Sequence, residues 1–221
     1  MLLLAADTTT ANGSVALAED GEVIGEVRLG RQQGHSGTLL PAIEFLLRSM
    51  GLGPARIDFW GVAVGPGSFT GLRVGISTIQ GLALASYKPC VAVSALEANA
   101  AGAIGAAPFV VALMDAFRQE VYGQVFDSEA RPVAGASVGR VEELLGGVPP
   151  EAAFVGDAVV AQRPQIEARC RGARFPERSP FLAADVARLA WREAAAGRTV
   201  PPDALRPVYL REAEVQRPTP A

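Results

Sequence analysis

The chain has 221 residues, of which 49% are hydrophobic, and a formal net charge of −3, a composition typical of a globular protein with a substantial core. The acidic balance argues against unaided, high-affinity binding to nucleic acid, which rests on a basic surface. Lys88 is the only lysine, so the sequence has no Gly-Lys-Ser/Thr phosphate loop, and a P-loop NTPase is excluded.

Neither membrane insertion nor cysteine chemistry is indicated. The longest apolar stretches are too short and too interrupted to span a bilayer, and no basic segment precedes the first apolar residues, so we expect a cytoplasmic protein without membrane contact. Cys90 and Cys170 are the only cysteines and lie far apart, which supports neither a disulfide framework nor a Cys-based zinc site.

The first hundred residues predict a β-β-β-α-β-α-β-α unit. Asn12-Gly13 and Asp20-Gly21 are strong hairpin signals between apolar segments, so the first three strands form an antiparallel meander. Apolar residues then recur at helical spacing. The predicted strands cover residues 2–6, 14–19, 23–29, 59–64 and 90–93, and the predicted helices cover residues 36–50, 71–86 and 94–103.

A Gly-, Ala- and Pro-rich segment over residues 101–108 predicts a linker between two lobes. We therefore divide the chain into an N-terminal lobe over residues 1–104, a smaller C-terminal α/β lobe over residues 105–212 and a mobile tail over residues 213–221. In the second part, strands are predicted over residues 109–114, 120–126 and 153–155, and helices over residues 141–145, 159–168 and 183–196.

The most informative segment is a glycine-rich turn over residues 65–75, Gly-Pro-Gly-Ser-Phe-Thr-Gly-Leu-Arg-Val-Gly. Such a turn is either an anion cradle or a close-packing device, because its backbone takes conformations that a Cβ resists. Ser68 or Thr70 could cap the following helix or meet a phosphate. Gly75 and Gly81 each cost that helix about 1 kcal/mol, which indicates close approach of another backbone, in its own sheet or in a second protein.

Two acidic residues begin the two lobes, as in a phosphotransferase cleft. Asp7 follows the first strand, and Asp115 follows the first strand of the second lobe. The alternative, which we favour, is that both are hairpin-turn aspartates inherited from a nucleotide-binding ancestor, because the second lobe has no obvious glycine-rich adenosine-binding segment. His35 is the only histidine, so no two-histidine metal site can be built; it either packs locally or contacts a partner or substrate.

Five motifs occur in a fixed order along the first part of the chain. They are Asp-Thr-Thr-Thr at residues 7–10, Gly-His-Ser at 34–36, the glycine-rich segment at 65–75, Val-Ser-Ala-Leu-Glu at 93–97, and Met-Asp-Ala with Glu-Val-Tyr at 114–116 and 120–122. In this combination the sequence resembles the TsaB (YeaZ) family over residues 1–126. Residues 209–211, Tyr-Leu-Arg, resemble the family's C-terminal ending.

The resemblance implies an α/β fold of the actin-like, sugar-kinase and Hsp70 ATPase type (ribonuclease H-like), with two lobes of which the second is reduced. It also implies a noncatalytic dimerisation or scaffold subunit, which binds and activates the related enzyme TsaD. The complex adds a threonylcarbamoyl group to N6 of the adenosine 3′ of the tRNA anticodon. TsaE is a further partner, tRNA is contacted through the complex, and a homodimer is an option when TsaD is absent. No cofactor is expected on this chain alone, whereas ATP or ADP could bind at the joint surface.

The resemblance also separates this chain from the catalytic family. That family holds a metal through two histidines in a segment that aligns with residues 93–99, where this chain has Ala95 and Asn99. Alanine cannot ligate a metal, and asparagine is a poor substitute for imidazole. We therefore expect neither catalytic residues nor a metal. Phe117 stands where the TsaB family commonly has arginine, and Arg118 could take the role of that arginine.

Two sets of candidate residues follow. The partner surface is assigned to the helices at residues 36–50 and 71–86, through Leu39, Ile43, Leu72, Arg73, Gly75, Ile76, Thr78, Ile79, Gly81 and Leu82. The turns of a vestigial nucleotide site contain Asp7, Thr8, Thr9, Gly65, Gly67, Ser68, Thr70 and Asp115. Two rival functions stay open. One is a small-molecule kinase or ATPase acting through Asp7 and Asp115, and the other is direct tRNA binding through Arg163, Arg169, Arg171 and Arg174.

Overall fold

A five-stranded sheet forms the first half of the fold in the computed structural model, which describes residues 1–30 and 34–211. Its strands are β1 (Leu2–Asp7), β2 (Ser14–Glu19), β3 (Glu22–Arg28), β4 (Phe59–Gly65) and β5 (Cys90–Ser94). Their order in space is β3-β2-β1-β4-β5, with antiparallel pairing among the first three and parallel pairing of β1 with β4 and β4 with β5. The helices of this half are α1 (His35–Ser49), α2 (Phe69–Ser86) and α3 (Ala95–Ala101).

A smaller sheet forms the second half. Its strands are β6 (Phe109–Asp115), β7 (Val121–Asp127), β8 (Ser137–Gly139) and β9 (Ala153–Val155), in the order β8-β7-β6-β9. The central strand β6 is antiparallel to β7 and parallel to β9. The remaining helices are α4 (Val141–Leu144), α5 (Val159–Arg169) and α6 (Ala183–Ala195), and short 3-10 helices cover Pro54–Arg56, Leu145–Gly147 and Pro202–Ala204.

Helices cover both faces of the first sheet, which explains why its central strands are apolar throughout. Side chains alternate between the two faces of a strand. In β1, Leu4 and Ala6 pack under α1 and α2, whereas Leu3 and Ala5 pack in the cluster that contains α3 and α6. This second cluster extends to Val110 of the second sheet, so it joins the two halves of the molecule.

The last part of the chain that the structure describes returns to the first sheet. Residues 183–208, which the sequence assigns to the second lobe, pack instead on the N-terminal sheet, because α6 lies across β1, β2 and β4 and covers their apolar face. Cys90 and Val200 exchange main-chain hydrogen bonds of 2.8 Å, and the N–H of Val208 donates to the carbonyl oxygen of Val64 over 2.7 Å. Thus β6 to α5 form an inserted smaller unit.

The other predicted elements agree in kind with the observed ones, and their ends differ by up to two residues. Strand β8 was not predicted, because its three residues, Ser-Val-Gly, include a single apolar side chain, whereas the equally short β9 is apolar throughout. The predicted tail over residues 213–221 lies outside the described residues. Within residues 1–30 and 34–211, none of the helices combines the length and apolar character that crossing a bilayer requires.

Candidate functional site

The glycine-rich turn packs against the turn that follows β1. The N–H of Ser68 donates to the carbonyl oxygen of Thr9 over 2.7 Å, and the hydroxyl of Thr8 donates to the carbonyl oxygen of Gly71 over 2.8 Å. Gly67 has φ +156°, and a Cβ there would lie 2.5 Å from the Thr9 carbonyl oxygen. The Ser68 hydroxyl accepts the Gly71 N–H over 3.3 Å, so it caps α2. Of the two interpretations of this turn, the contacts favour close packing.

The glycines of α2 differ in their surroundings. A Cβ on Gly71 would overlap the carbonyl oxygen of Thr8, and a Cβ on Gly75 would overlap the Thr8 hydroxyl oxygen. Close contact with the turn after β1 therefore explains why both positions are glycine. Gly75 is also buried, so it does not belong to an outer partner surface. Gly81 is exposed, and a Cβ there would meet nothing within 4 Å.

Six of the ten predicted partner residues are buried within the chain itself, namely Gly75 and five apolar side chains of the core. Leu39, Ile43, Leu72, Ile76 and Ile79 are each at most 4% exposed, because the apolar stripe of each helix faces the first sheet. Their assignment to a partner surface is corrected accordingly. The members that reach the surface are Arg73 and Gly81, which are exposed, and Thr78 and Leu82, which are half-buried.

The outer face of α1 and α2 carries large apolar side chains that the sequence analysis missed. Leu40 and Phe45 on α1 are 51% and 65% exposed, Leu84 on α2 is 56% exposed, and Tyr87, which caps the end of α2, is 95% exposed. A helical wheel would have found Leu40 and Phe45, because they fall outside the stripe of residues that packs on the sheet. Since α1 packs against α2, the two outer faces are neighbours.

Asp7 is fully buried at the end of β1. Its Oδ1 accepts hydrogen bonds from the N–H and the hydroxyl of Thr9, at 3.0 and 2.7 Å, and its Oδ2 has no partner among the described residues. Burial raises the pKa of Asp7, against the lowering effect of the Thr9 hydrogen bonds. A carboxyl group so enclosed is poorly placed to hold the hydrated metal ion of a nucleotide.

Asp115 and Asp157 meet at the ends of β6 and β9. The N–H of Asp115 donates to Oδ1 of Asp157 over 3.1 Å, and Oδ1 of Asp115 accepts from the N–H of Phe117 over 2.9 Å. Burial raises the pKa of Asp157, and the charges of Asp115 and Asp157 repel each other. Sequence analysis missed Asp157, although its position directly after a buried strand and a glycine was an available signal.

A cleft of about 470 Å³ separates the two sheets, and Arg178 enters it from the segment before α6. The Arg178 guanidinium donates to both the carbonyl oxygen and Oδ1 of Asn99 and, over 3.1 Å, to Oδ2 of Asp185. The Asn99 amide in turn donates to the carbonyl oxygen of Ala95 over 2.9 Å. Ala95 and Asn99, which the resemblance aligns with two histidine ligands, therefore take part in an internal hydrogen-bond network with the Arg178 cation at its centre. No group of three His, Cys, Asp or Glu side chains suited to a metal occurs in the described part of the chain.

His35 interacts locally at the start of α1. Its Nε2 lies 2.8 Å from the carbonyl oxygen of Thr10, and its ring packs on Gly13, where a Cβ would lie 2.7 Å from the imidazole. Its Nδ1 is buried and has no partner among the residues described. These contacts agree with a structural role for the imidazole.

Two α/β units around a cleft define the actin-like, sugar-kinase and Hsp70 ATPase class of proteins. The solved structure of a ROK hexokinase from Thermus thermophilus superposes with a TM-score of 0.51 at 13% identity, covering 89% of this chain and 100% of that one, which supports the fold alone. The predicted fold class is therefore confirmed.

Closer similarities define the family. A family model described as TsaD, tRNA N6-adenosine threonylcarbamoyltransferase, matches residues 23–185. The solved structure of YeaZ from Pseudomonas aeruginosa superposes with a TM-score of 0.79 at 30% identity, over 95% of this chain and 99% of that one. A Haemophilus influenzae protein named tRNA threonylcarbamoyladenosine biosynthesis protein TsaB is 42% identical over 124 residues, 55% of this chain and 52% of that protein. The chain belongs to the TsaB (YeaZ) family, although it spans about half the length of the curated relatives it matches.

Proposed function

We propose that this chain is a noncatalytic, cytoplasmic subunit in tRNA threonylcarbamoyladenosine biosynthesis, and that it binds and activates a TsaD-type threonylcarbamoyltransferase. The name of its Haemophilus influenzae relative and the match to the TsaD family model support this role. TsaE is a further proposed partner, tRNA is contacted through the complex, and a homodimer uses the same face when the enzyme is absent. ATP or ADP binds at the surface that the subunits share.

The residues in and around the cleft support a noncatalytic role. Arg178 and Asn99 are hydrogen-bonded to each other at the place where a catalytic relative needs metal ligands, and the carboxyl group of Asp7 is buried. The rival function, a small-molecule kinase or ATPase acting through Asp7 and Asp115, is not favoured by this arrangement.

The main observation in support of the proposal is the apolar outer face of α1 and α2. It combines the exposed Phe45 and Leu84 with the small residues Ser77 and Gly81, which lie one helical turn apart on α2. Small residues let a second helix approach closely, and exposed aromatic side chains are common anchors of protein interfaces. We therefore place a helix pair of the enzyme against this face.

Co-purification with the TsaD-type enzyme tests the face. Gly81→Trp fills the open space on α2, and Phe45→Ala removes an anchor, so each should weaken binding by about tenfold or more. Val160→Ala is the matched control, because Val160 is 85% exposed on α5, away from this face. Unchanged binding of both face variants would contradict the assignment.

Reconstitution tests the function itself. The chain is combined with the TsaD-type enzyme, TsaE, tRNA and the threonylcarbamoyl donor, and each component is omitted in turn. We expect tRNA modification to depend on the chain. Modification that proceeds at the same rate without it would refute the proposed function.

A further inference from the structure

A small pocket lies beside the turn that joins β6 to β7. Its volume is about 250 Å³, and the residues that line it include Phe69, Phe117, Tyr122, Arg118 and Arg211. We call it the aromatic-arginine pocket. None of its side chains has a role in the packing of α1 and α2 on the sheet described above.

Three aromatic rings at this pocket are open to water. Phe117 is 62% exposed, Phe69 is 45% exposed, and Tyr209, whose ring centroid lies 5.5 Å from that of Phe69, is 42% exposed. Aromatic rings are among the largest apolar surfaces of a protein, and a group of exposed rings is characteristic of a binding surface. Because Arg73 and Tyr209 already lie against the Phe69 ring, Phe117 is the ring that can offer a flat face to a planar ligand.

The turn holds Phe117 in an energetically unfavourable backbone conformation. Phe117, Arg118 and Gln119 have φ of +60°, +54° and +65°, a left-handed conformation that residues with a Cβ rarely adopt in succession. Two main-chain hydrogen bonds of 3.0 Å close the turn. The N–H of Ala116 donates to the carbonyl oxygen of Glu120, and the N–H of Glu120 donates to the carbonyl oxygen of Phe117. Because such strain is concentrated at functional positions, it favours a role for Phe117 outside the core.

Positive charge accompanies the rings. The guanidinium carbon of Arg73 lies 3.9 Å from the centre of the Phe69 ring. Arg211 is paired with Glu120, and Arg118 is engaged in an interaction. Arg73 does not line the pocket but lies beside it on the Phe69 ring, where it can meet an incoming anion. The acidic residues at this turn are Asp115 and Glu120. The surface therefore suits a ligand with a flat ring and a single negative charge, whereas a polyphosphate needs several converging cations or N–H groups.

We propose that the aromatic-arginine pocket binds one unpaired nucleotide of the tRNA, with its base stacked on the exposed Phe117 ring and its phosphate near Arg73. Single-stranded RNA is commonly recognised by stacking on aromatic side chains, with Arg contacts to the backbone. The choice of tRNA rests on the proposed function.

A fluorescent reporter tests the stacking. Phe117→Trp places an indole in the pocket, whereas the native Trp60 is buried and Trp191 is half-buried elsewhere. An anticodon stem-loop RNA should quench the new fluorescence saturably, and added salt should weaken the effect. Val133→Trp is the control, because Val133 is 56% exposed and does not line the pocket.

Three results would overturn the inference. They are absence of quenching both for the chain alone and for its mixture with the TsaD-type enzyme, equal quenching of the Val133→Trp control, and quenching by ATP that displaces the RNA. The last result would make the pocket a site for free nucleotide.

Binding of labelled stem-loop RNA to the same mixture gives a second measurement. Phe117→Ala and Phe117→Leu should each weaken binding about tenfold, since leucine keeps the apolar surface but loses the ring. Arg73→Ala should weaken binding and reduce its salt dependence, whereas Arg56→Ala, an exposed arginine outside the pocket, should do neither.

The two proposals fail in different experiments. Wild-type RNA affinity of the Phe117 and Arg73 variants, in a mixture whose tRNA modification still needs the chain, would refute the pocket and leave the proposed function standing. Modification independent of the chain would refute the proposed function.

Discussion

The hydroxyl of Thr8 donates a hydrogen bond of 2.8 Å to the carbonyl oxygen of Gly71 and thereby joins the turn after β1 to the first turn of α2. The backbones approach so closely here that neither Gly71 nor Gly75 has room for a Cβ. A turn that resembles a phosphate cradle in sequence thus fixes one helix against the sheet, and its glycines are explained by steric contact.

Alanine substitutions should separate the glycines of α2. Gly71→Ala forces a methyl group into the main chain at Thr8, so we expect the free energy of unfolding to fall by about 3 kcal/mol, the upper end for overpacked cores. Gly81→Ala adds its methyl in open space and should raise the free energy by up to about 1 kcal/mol. Urea denaturation measures both. Equal effects would show that Gly71 is not in steric contact with Thr8.

Local signals were sufficient to predict most of the fold. Asn12-Gly13 and Asp20-Gly21 marked the hairpins, and the helices showed their apolar spacing. The packing of α6 on the first sheet could not be predicted, because an amphipathic helix has an apolar face but carries no local signal of which sheet it will cover.

The prediction of site residues from the sequence has the same limit. The apolar stripes that contain Leu39 on α1 and Ile79 on α2 are equally consistent with a partner surface and with the chain's own core, and only the packing decides. Arg178 and Asn99 are 79 residues apart in sequence, so their hydrogen bonds had no local signal. The resemblance predicted the family correctly, whereas Leu39, Ile43, Leu72, Ile76 and Ile79, which were assigned to the partner surface, lie in the core.

Truncations on α2 should distinguish core from surface. Ile79 is fully buried, so Ile79→Ala should lower the free energy of unfolding by about 2–5 kcal/mol. Leu84 is 56% exposed, so Leu84→Ala should change it by less than about 0.5 kcal/mol and weaken enzyme binding instead. Thermal unfolding and co-purification check the pair. A stable Ile79→Ala variant that loses enzyme binding would restore Ile79 to the partner surface.

The Arg178 network should contribute strongly to stability. Arg178→Met leaves Asp185 half-buried beside Arg188 alone and removes the donor to Asn99, so we expect a loss of about 3–5 kcal/mol. Arg131→Met breaks an ion pair with Asp127 in which Arg131 is 67% exposed, and should have a much smaller effect because water screens the pair. Urea denaturation of both variants measures the difference, and a small effect at Arg178 would contradict the buried network.

The two cysteines should be protected from thiol reagents. Burial raises the pKa of the Cys90 thiol to about 11, and it also raises the pKa of Cys170. Because the thiolate is the reactive form, we expect slow labelling of the folded chain at pH 8 and fast labelling of both thiols in urea. Single Cys90→Ala and Cys170→Ala variants assign the rates. Rapid labelling of folded Cys90 would show that β5 opens readily.

The buried carboxyl group of Asp7 should make stability depend on pH. Burial raises its pKa in the folded chain, so between the ordinary aspartate pKa of about 4 and the raised value the folded state holds a proton that the unfolded state has released. The contribution of Asp7 to stability is therefore greatest below about pH 4 and falls as the pH rises through this interval. Asp7→Asn cannot titrate, and its Oδ1 can still accept both Thr9 hydrogen bonds. We expect the stability of Asp7→Asn relative to wild type to increase with pH across the interval and then level off, as measured by urea denaturation at a series of pH values. Asp203→Asn, at an exposed carboxylate, is the control, and identical curves for the two variants would show that Asp7 is not desolvated.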